Sequence, residues 1–123
     1  MIKDKILVVD DEKDSCEAFK NFFSKRGYLV HVAGDGLKAQ ELLQNNHYRF
    51  IFLDCHMPGL SGVELAKVIK KLDPQSIKVM ISGYQSLDPD LLKELGIDQF
   101  FKKPISLSQI ENFLKEHRKE NPA

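Results

Sequence analysis

Two short apolar runs, each ending in aspartate, constrain most strongly how this chain can fold. Residues 5–9 and 49–53 are almost uninterrupted stretches of apolar, often β-branched side chains, and they stop at Asp10-Asp11 and at Asp54. A strand with one solvated face would alternate apolar and polar residues, whereas a continuous run suits a strand that is covered on both faces. The two runs therefore predict buried strands that present carboxylates where they end.

Strand-like and helix-like patterns alternate along the rest of the chain. Further strands are predicted at residues 28–32, at residues 77–81 and around Phe100-Phe101, with helical apolar spacing between the strands and after the last one. Gly27 and Gly96 are placed to end helices. The helix-start signals are Ser61 with Glu64, Asp88-Pro89, and Ser106 with Gln109.

Five strands alternating with five helices predict an α/β fold with a parallel sheet and helices on both faces. Each parallel return needs a crossover of about a dozen residues, which a helix supplies. A length of 123 residues is typical of one domain, so we expect residues 1–123 to form a single domain. In such sheets, ligands bind outside the carboxyl ends of the strands, where the strand order reverses.

The composition excludes several function classes. Lys plus Arg and Asp plus Glu each count 18, and with no basic stripe we expect no direct binding of nucleic acid. No apolar run has the length of a membrane span or a signal peptide, so we expect no membrane association and a cytoplasmic protein. Cys16 and Cys55 lack the spacing of a metal site, which predicts reduced thiols in or near the core.

The predicted strand ends bring together three carboxylates, a hydroxyl and an ammonium, from Asp10, Asp11, Asp54, Ser82 and Lys103. Crowded carboxylates raise one another's pKa unless a cation compensates. Ligation by oxygen alone favours a hard ion such as Mg²⁺, for which Mn²⁺ could substitute. With a cation screening the charge, a carboxylate can attack a phosphoryl group and form an acyl phosphate, whose oxygens the lysine and the serine would bind.

Each of these residues also has a plainer interpretation. Asp10 and Asp11 could cap the first helix, and Asp54 could be a turn residue before a proline and a glycine. Ser82 could simply end its strand, and Lys103 could belong to a solvated pair of lysines. None of these accounts explains why all five residues fall at strand ends, which favours a shared site.

Taken in order, these motifs resemble the receiver domains of bacterial two-component response regulators over nearly the whole chain. The matching features are the acidic pair after strand one, the motif from Asp54 to Pro58 with Gly62, Ser82-Gly83, and the stretch from Gly96 through Phe100 to Lys103-Pro104. The resemblance implies a flavodoxin-like (βα)5 doubly wound sandwich with a five-stranded parallel sheet of order 2-1-3-4-5.

The same resemblance assigns roles to individual residues. It implies that Asp54 is the phosphoacceptor. The implied protein ligands of Mg²⁺ are the carboxylates of Asp10, Asp11 and Asp54 and the backbone carbonyl of His56. Lys103, rather than Lys102, aligns with the family lysine because it directly precedes Pro104, and the peptide bond between them is often cis in relatives.

The resemblance also implies a switch. In the family, phosphorylation draws the strand-four hydroxyl, here Ser82, toward the phosphate, and a strand-five aromatic residue, here Phe100, moves inward. This predicts an output surface on helix four, strand five and helix five. Phe100 lacks the hydroxyl of the commoner tyrosine and could equally be plain core. His56 and Tyr84 lie where relatives tune the attack of water on the acyl phosphate, so we hypothesise that they set its lifetime.

The implied partners are a histidine kinase or histidine phosphotransfer protein and a downstream effector protein or domain. The chain would be a monomer or a phosphorylation-dependent dimer, and a signalling phosphoacceptor rather than an enzyme. Two rivals remain: a degenerate receiver used only for docking, and an aspartate-dependent phosphatase or phosphotransferase, whose relatives place Asp-x-Asp after strand one. Whether the chain stands alone or was cut from a larger protein stays open.

Overall fold

The computed structural model describes residues 4–54, 62–83 and 88–117, in which strands and helices alternate. The strands are β1 Lys5–Val9, β2 Leu29–Ala33, β3 Phe50–Asp54, β4 Ile77–Ser82 and β5 Gln99–Lys102. The helices are α1 Lys13–Ser24, α2 Gly36–Asn45, α3 Gly62–Leu72, α4 Pro89–Glu94 and α5 Leu107–Glu116. Within these described residues, no helix is both long enough and apolar enough to span a membrane.

The five described strands form one parallel sheet in the order β2-β1-β3-β4-β5. The predicted fold class and strand order are therefore confirmed. Strand β1 has β2 on one side and β3 on the other, so the chain leaves β1 in one direction and later continues in the opposite one. This reversal opens a crevice at the carboxyl ends of β1 and β3.

Two separate cores cover the faces of the sheet. In β1, Ile6 and Val8 join the core that includes residues of α1 and α5, whereas Leu7 and Val9 join the core that includes residues of α2 and α3. All four side chains are buried. Successive side chains of a strand point to opposite faces, and both faces are covered here, which explains the continuous apolar run.

The predicted helix signals are confirmed at α4 and α5. The side chain of Asp88 accepts the first capping hydrogen bond of α4, and Gly96, with φ 75°, follows the end of that helix. At α5, Ser106 and Gln109 form both hydrogen bonds of the predicted capping box. The capping role predicted for Ser61 lies outside the described residues.

The connection from α1 to β2 differs by one residue from the prediction. Helix α1 ends at Ser24, and Gly27 adopts φ 93°, a backbone conformation that favours glycine. The N–H of Tyr28 then donates to the carbonyl of Phe23 at 3.1 Å. Because Tyr28 belongs to this turn, β2 begins at Leu29.

Strands β3, β4 and β5 extend farther than their apolar runs predict. Asp54 pairs with Ile81, and Ser82 pairs with Lys102, in the parallel ladder. Backbone pairing does not require apolar side chains, so these polar residues continue the strands. As a result, Asp54 and Ser82 are fixed by the sheet rather than carried on loops.

Candidate functional site

The carboxyl ends of four neighbouring strands bring the predicted polar residues to one edge of the sheet. Asp54 and Ser82 are the last residues of β3 and β4, Asp10 and Asp11 follow β1, and Lys103 follows β5. Asp54 is only 6% exposed and Ser82 only 2% exposed. The sheet therefore holds a carboxylate and a hydroxyl in fixed, largely buried positions beside an open crevice.

Lys103 contacts Asp54 directly. Its Nζ donates to Asp54 Oδ2 at 2.7 Å, and its backbone N–H donates to the carbonyl of Ser82 at 2.8 Å. Burial lowers the pKa of Lys103, but the hydrogen bond to Asp54 and the negative charge of Asp54 outweigh it, so the net pKa is raised. Lys103 is therefore positively charged at neutral pH. The peptide bond between Lys103 and Pro104 is cis.

Three hydrogen bonds hold Asp10 at the start of the crevice. Its N–H donates to the carbonyl of Ala33 at 3.0 Å, and its Oδ1 accepts from the N–H of Glu12 at 3.0 Å. Its carbonyl accepts from the thiol of Cys16 at 3.2 Å. Helix α1 has Glu12 as its N-cap residue, with no side-chain capping bond from Glu12 itself, and Asp10 accepts the N–H of this residue at the start of the helix.

Cys16 is buried, as predicted, and is a free thiol. Burial, followed by the negative charge of Asp10, raises its pKa to about 11. Sequence reasoning assigned Cys16 only to the core and missed its contact with Asp10. The contact depends on how the turn between β1 and α1 folds back, and no residue pattern reports that.

The carboxyl group of Asp10 is electrostatically unfavourable in its charged form. Burial raises its pKa first, and the nearby charge of Asp54 raises it further. The hydrogen bond from the N–H of Glu12 and the charge of Lys103 act in the opposite direction but do not cancel these effects. A positive charge placed between Asp10 and Asp54 would relieve this repulsion.

Asp10, Asp11 and Asp54 form a cluster suited to a divalent cation. Each offers a carboxylate oxygen, and these oxygen atoms lie within 4.8 Å of one another. Asp54 is buried, Asp10 half-buried and Asp11 exposed, so the cluster opens to solvent on one side. Hard cations with oxygen ligands, which keep some of their own waters, fit such a cluster. The predicted carboxylate ligands are thus brought together.

Ser82 and Phe100 lie on the same face of the sheet. Phe100 pairs with Met80, which is two residues before Ser82, and strand alternation returns to the same face after two residues. Phe100 is half-buried and packs against the core that includes residues of α2 and α3. Ser82 and Phe100, the predicted switch pair, are therefore close in the sheet. Phe100 is partly exposed but still packs against the core.

A cavity of about 540 Å³ adjoins the carboxylates. Its polar end is formed by Asp10, Asp54 and Lys103, and side chains of α1 and α5, including Phe19 and Ile110, line its apolar part. Sequence reasoning missed this cavity because its shape depends on how the two helices pack. Asp54 thus lies at the wall of this cavity.

Some predicted residues fall outside the described ranges. These residues are Cys55, His56 and Tyr84. The carbonyl ligand predicted at His56 and the tuning roles predicted for His56 and Tyr84 therefore stay predictions.

The sequence matches a known family over most of its length. The sequence profile of the response regulator receiver domain family matches residues 6–115, a span that includes Asp10, Asp11, Asp54, Ser82 and Lys103. Over 118 residues the chain is 30% identical to sporulation initiation phosphotransferase F of Bacillus subtilis (strain 168), with 95% of each chain covered.

Solved structures show the same fold. A response regulator receiver domain protein (CheY-like) from Methanospirillum hungatei JF-1 superposes with a TM-score of 0.87 at 27% identity, covering 94% of this chain and 93% of that one. A response regulator protein from Thermotoga maritima, in complex with Mg²⁺ and BeF, has a TM-score of 0.80 at 28% identity and covers 95% and 99% of the two chains.

Proposed function

Because this chain belongs to the response regulator receiver domain family, we propose that Asp54 is the residue on which it accepts a phosphoryl group. The chain is a receiver domain of a two-component system, and receiver domains of this kind interact with kinases or phosphotransfer proteins. The observation that carries the proposal is the convergence on Asp54 of Asp10, Asp11 and Lys103. A nucleophile, a cation site and an ammonium thus share one crevice.

In the proposed reaction, a carboxylate oxygen of Asp54 attacks the phosphorus of a donor phosphohistidine. The oxygen–phosphorus bond forms while the nitrogen–phosphorus bond breaks, and the imidazole nitrogen leaves with the bonding electron pair and is protonated from water. Lys103 Nζ, already 2.7 Å from Asp54 Oδ2, would bind one phosphoryl oxygen. The hydroxyl of Ser82 would bind another.

Asp10, Asp11 and Asp54 would hold Mg²⁺ for this reaction, and Mn²⁺ could replace it. The raised pKa of Asp10 and the spacing of the three carboxylates both fit a cation at this position. When bound, the ion supplies positive charge that offsets the negative charge of the transferring group. The backbone carbonyl of His56 is proposed as a further ligand.

We propose that Ser82 and Phe100 pass the phosphorylation state to the surface formed by α4, β5 and α5. None of the six residues of α4 is buried. Only its half-buried Leu91 and Leu92 pack against the core. An element with few buried contacts can be shifted by a small change nearby, as we propose for Ser82. A downstream effector protein or domain would bind this surface, either to a monomer or to a dimer that forms on phosphorylation.

The lifetime of the acyl phosphate is assigned to His56 and Tyr84, each two residues beyond a site residue. Their side chains would control the access of water to phospho-Asp54. The double variant His56→Ala, Tyr84→Ala is expected to lose its phosphate at a different rate from the parent. Equal rates in a dephosphorylation time course would refute these roles.

Incubation with acetyl phosphate and Mg²⁺, followed by intact-protein mass spectrometry, tests the proposed function. We expect one added phosphoryl group in the parent, none in Asp54→Asn, and one in the control Asp14→Asn, which changes an exposed aspartate in the first turn of α1. No adduct in the parent would support a degenerate receiver. Steady hydrolysis of phosphate esters would instead support a phosphatase, contrary to the proposal that the chain catalyses only its own phosphorylation and dephosphorylation.

The proposed donor is a histidine kinase or a histidine phosphotransfer protein in the cytoplasm. A cytoplasmic location agrees with the free, buried thiol of Cys16, because cytosolic conditions keep thiols reduced. We also propose that residues 1–123 form a single receiver domain. Profiling phosphotransfer from the histidine kinases of the host would identify the donor, and transfer should again require Asp54.

A further inference from the structure

The backbone carbonyl of Asp10 has a hydrogen-bond partner that no step of the proposed function uses. The thiol of Cys16, on the first turns of α1, donates to this carbonyl at 3.2 Å. Cys16 is 5% exposed and contacts the turn from inside the protein. Its sulfur therefore supports the turn between β1 and α1 from the side opposite to solvent.

The carbonyl of Asp10 belongs to the peptide group that joins Asp10 to Asp11. Both aspartate side chains branch from the Cα atoms at the two ends of this planar group. The N–H of Asp10 is fixed by Ala33, and its Oδ1 is fixed by Glu12. The bond from Cys16 removes the remaining freedom, which is rotation of the peptide plane between the two aspartates.

We propose that Cys16 is a positioning residue for the divalent cation, because its hydrogen bond fixes the peptide plane from which both Asp10 and Asp11 extend. The inference rests on the proposed function, which requires the cation. It concerns the direction of the carboxylates and does not place the sulfur among the ligands. Partners that orient the ligands of a metal ion commonly contribute tenfold or more to its affinity, and a thiol is a weaker donor than most of them.

Three variants of the full chain separate the hydrogen bond from simple packing. Cys16→Ser keeps a donor, Cys16→Val keeps apolar volume without a donor, and Cys16→Ala removes both. Val30→Ala is the matched control, because Val30 is 3% exposed in the core on the α1 side of the sheet and pairs with Ile6, four residues before Asp10. Each variant is first checked for native circular dichroism and then titrated with Mg²⁺ by calorimetry.

We expect the dissociation constant for Mg²⁺ to rise about three- to tenfold in Cys16→Val and Cys16→Ala. The dissociation constants of Cys16→Ser and Val30→Ala should stay within about twofold of the parent value, because both variants keep a hydrogen-bond donor to the carbonyl of Asp10. The donor is the serine hydroxyl in Cys16→Ser and the unchanged Cys16 thiol in Val30→Ala. The amide signal of Glu12, which reports its bond to Asp10, should shift in metal-free Cys16→Val and stay in place in Val30→Ala.

Parent affinity in Cys16→Val and Cys16→Ala would overturn the inference, and so would an equal loss of affinity in Val30→Ala. In either case the parent still binds Mg²⁺, so the proposed function stands. If the parent itself binds no Mg²⁺, the proposed function fails first. The two failures are therefore distinguishable in one set of titrations.

Discussion

The two ends of the sheet both bury charged side chains, yet the two ends balance those charges differently. At the amino end, Asp73 and Lys78 are 5% and 2% exposed, which makes them as buried as Asp54 at the carboxyl end. The carboxylate of Asp73 accepts from the N–H of Tyr48 at 2.9 Å, and Lys78 Nζ donates to the carbonyl of Ser76 at 3.1 Å. Each buried charge thus has a partner within the protein.

At the carboxyl end, the carboxylates of Asp10, Asp11 and Asp54 cluster together, and the ammonium group of Lys103 pairs with Asp54. The charge of Asp54 raises the pKa of Asp10 in addition to the effect of burial. The buried charges of Asp73 and Lys78 are of opposite sign, whereas three carboxylates cluster at the carboxyl end, where a cation would offset their repulsion. The difference separates charges that hold the fold together from charges that we propose to bind a cation and react.

The largest expected effect is at the amino end. Asp73→Ala should lower the free energy of unfolding by about 3 kcal/mol, because the buried N–H of Tyr48 loses its acceptor and Lys78 loses a nearby negative charge. Urea denaturation measures this loss. Asp73→Asn keeps an acceptor oxygen and should lose clearly less, and equal midpoints for the parent and Asp73→Ala would contradict a structural role.

The next largest effect is stabilisation by Mg²⁺. At a concentration one hundred times the dissociation constant, Mg²⁺ should raise the free energy of unfolding of the parent by about 2.7 kcal/mol. Asp11→Asn should lose this gain, because it removes one carboxylate of the cluster. Asp73→Asn should keep the gain, and sodium chloride at equal ionic strength should not reproduce it. Stabilisation that survives in Asp11→Asn would place the cation elsewhere.

A smaller effect is expected for Lys78→Met. Its free energy of unfolding should stay within about 1 kcal/mol of the parent value, because a buried charge is replaced by an apolar chain of similar length. Burial lowers the pKa of Lys78, against the charges of Asp98 and Asp73, which raise it. The folded protein thus binds fewer protons than the unfolded chain just below the ordinary value of 10.5. The parent should gain stability relative to the variant as the pH rises toward that value, and a constant difference between the two would contradict this sign.

The smallest effect is expected at the carboxyl end of the sheet when no metal is present. Without metal, Asp10→Asn should stabilise the fold by about 0.5 kcal/mol at neutral pH, a modest gain because the group is partly solvated. The pKa of Asp10 is raised above 3.8 by burial and by Asp54. As the pH rises above 3.8, the unfolded chain loses this proton first, so the parent loses stability relative to the variant. Denaturation at about pH 4 and pH 7 should show the difference growing, and a shrinking difference would refute it.

Sequence reasoning predicted the features of the fold and of the site that depend on local residue patterns. The strands and the positions of Asp54, Ser82 and Lys103 at their ends follow from local apolar patterns and from where those patterns stop, whereas the strand order was implied by the resemblance to receiver domains. The contact between Cys16 and Asp10 and the cavity between α1 and α5 depend on how a turn and two helices pack, which local patterns do not encode.

Sequence reasoning also missed the burial of Lys78, although the sequence contained a signal for it. A lysine inside the apolar run 77–81 must either face solvent or be buried with a partner. Because this strand is predicted to be covered on both faces, the lysine is expected to be buried with a partner. Its hydrogen-bond acceptor, the carbonyl of Ser76, and the nearby carboxylate of Asp73 precede β4, whereas the carboxylate of Asp98 follows it, so only folding brings these partners to the lysine.

The central claim is that carboxylates at the carboxyl end of the sheet share a cation beside Asp54. Nuclear magnetic resonance of the full chain during titration with Mn²⁺ tests this claim most directly, because a paramagnetic ion broadens nearby amide signals. We predict early broadening of the signals of Asp11, Glu12 and Asp54, with those of Asp73 and Lys78 unaffected and the effect lost in Asp11→Asn. Uniform broadening, or broadening centred at the amino end, would contradict the account.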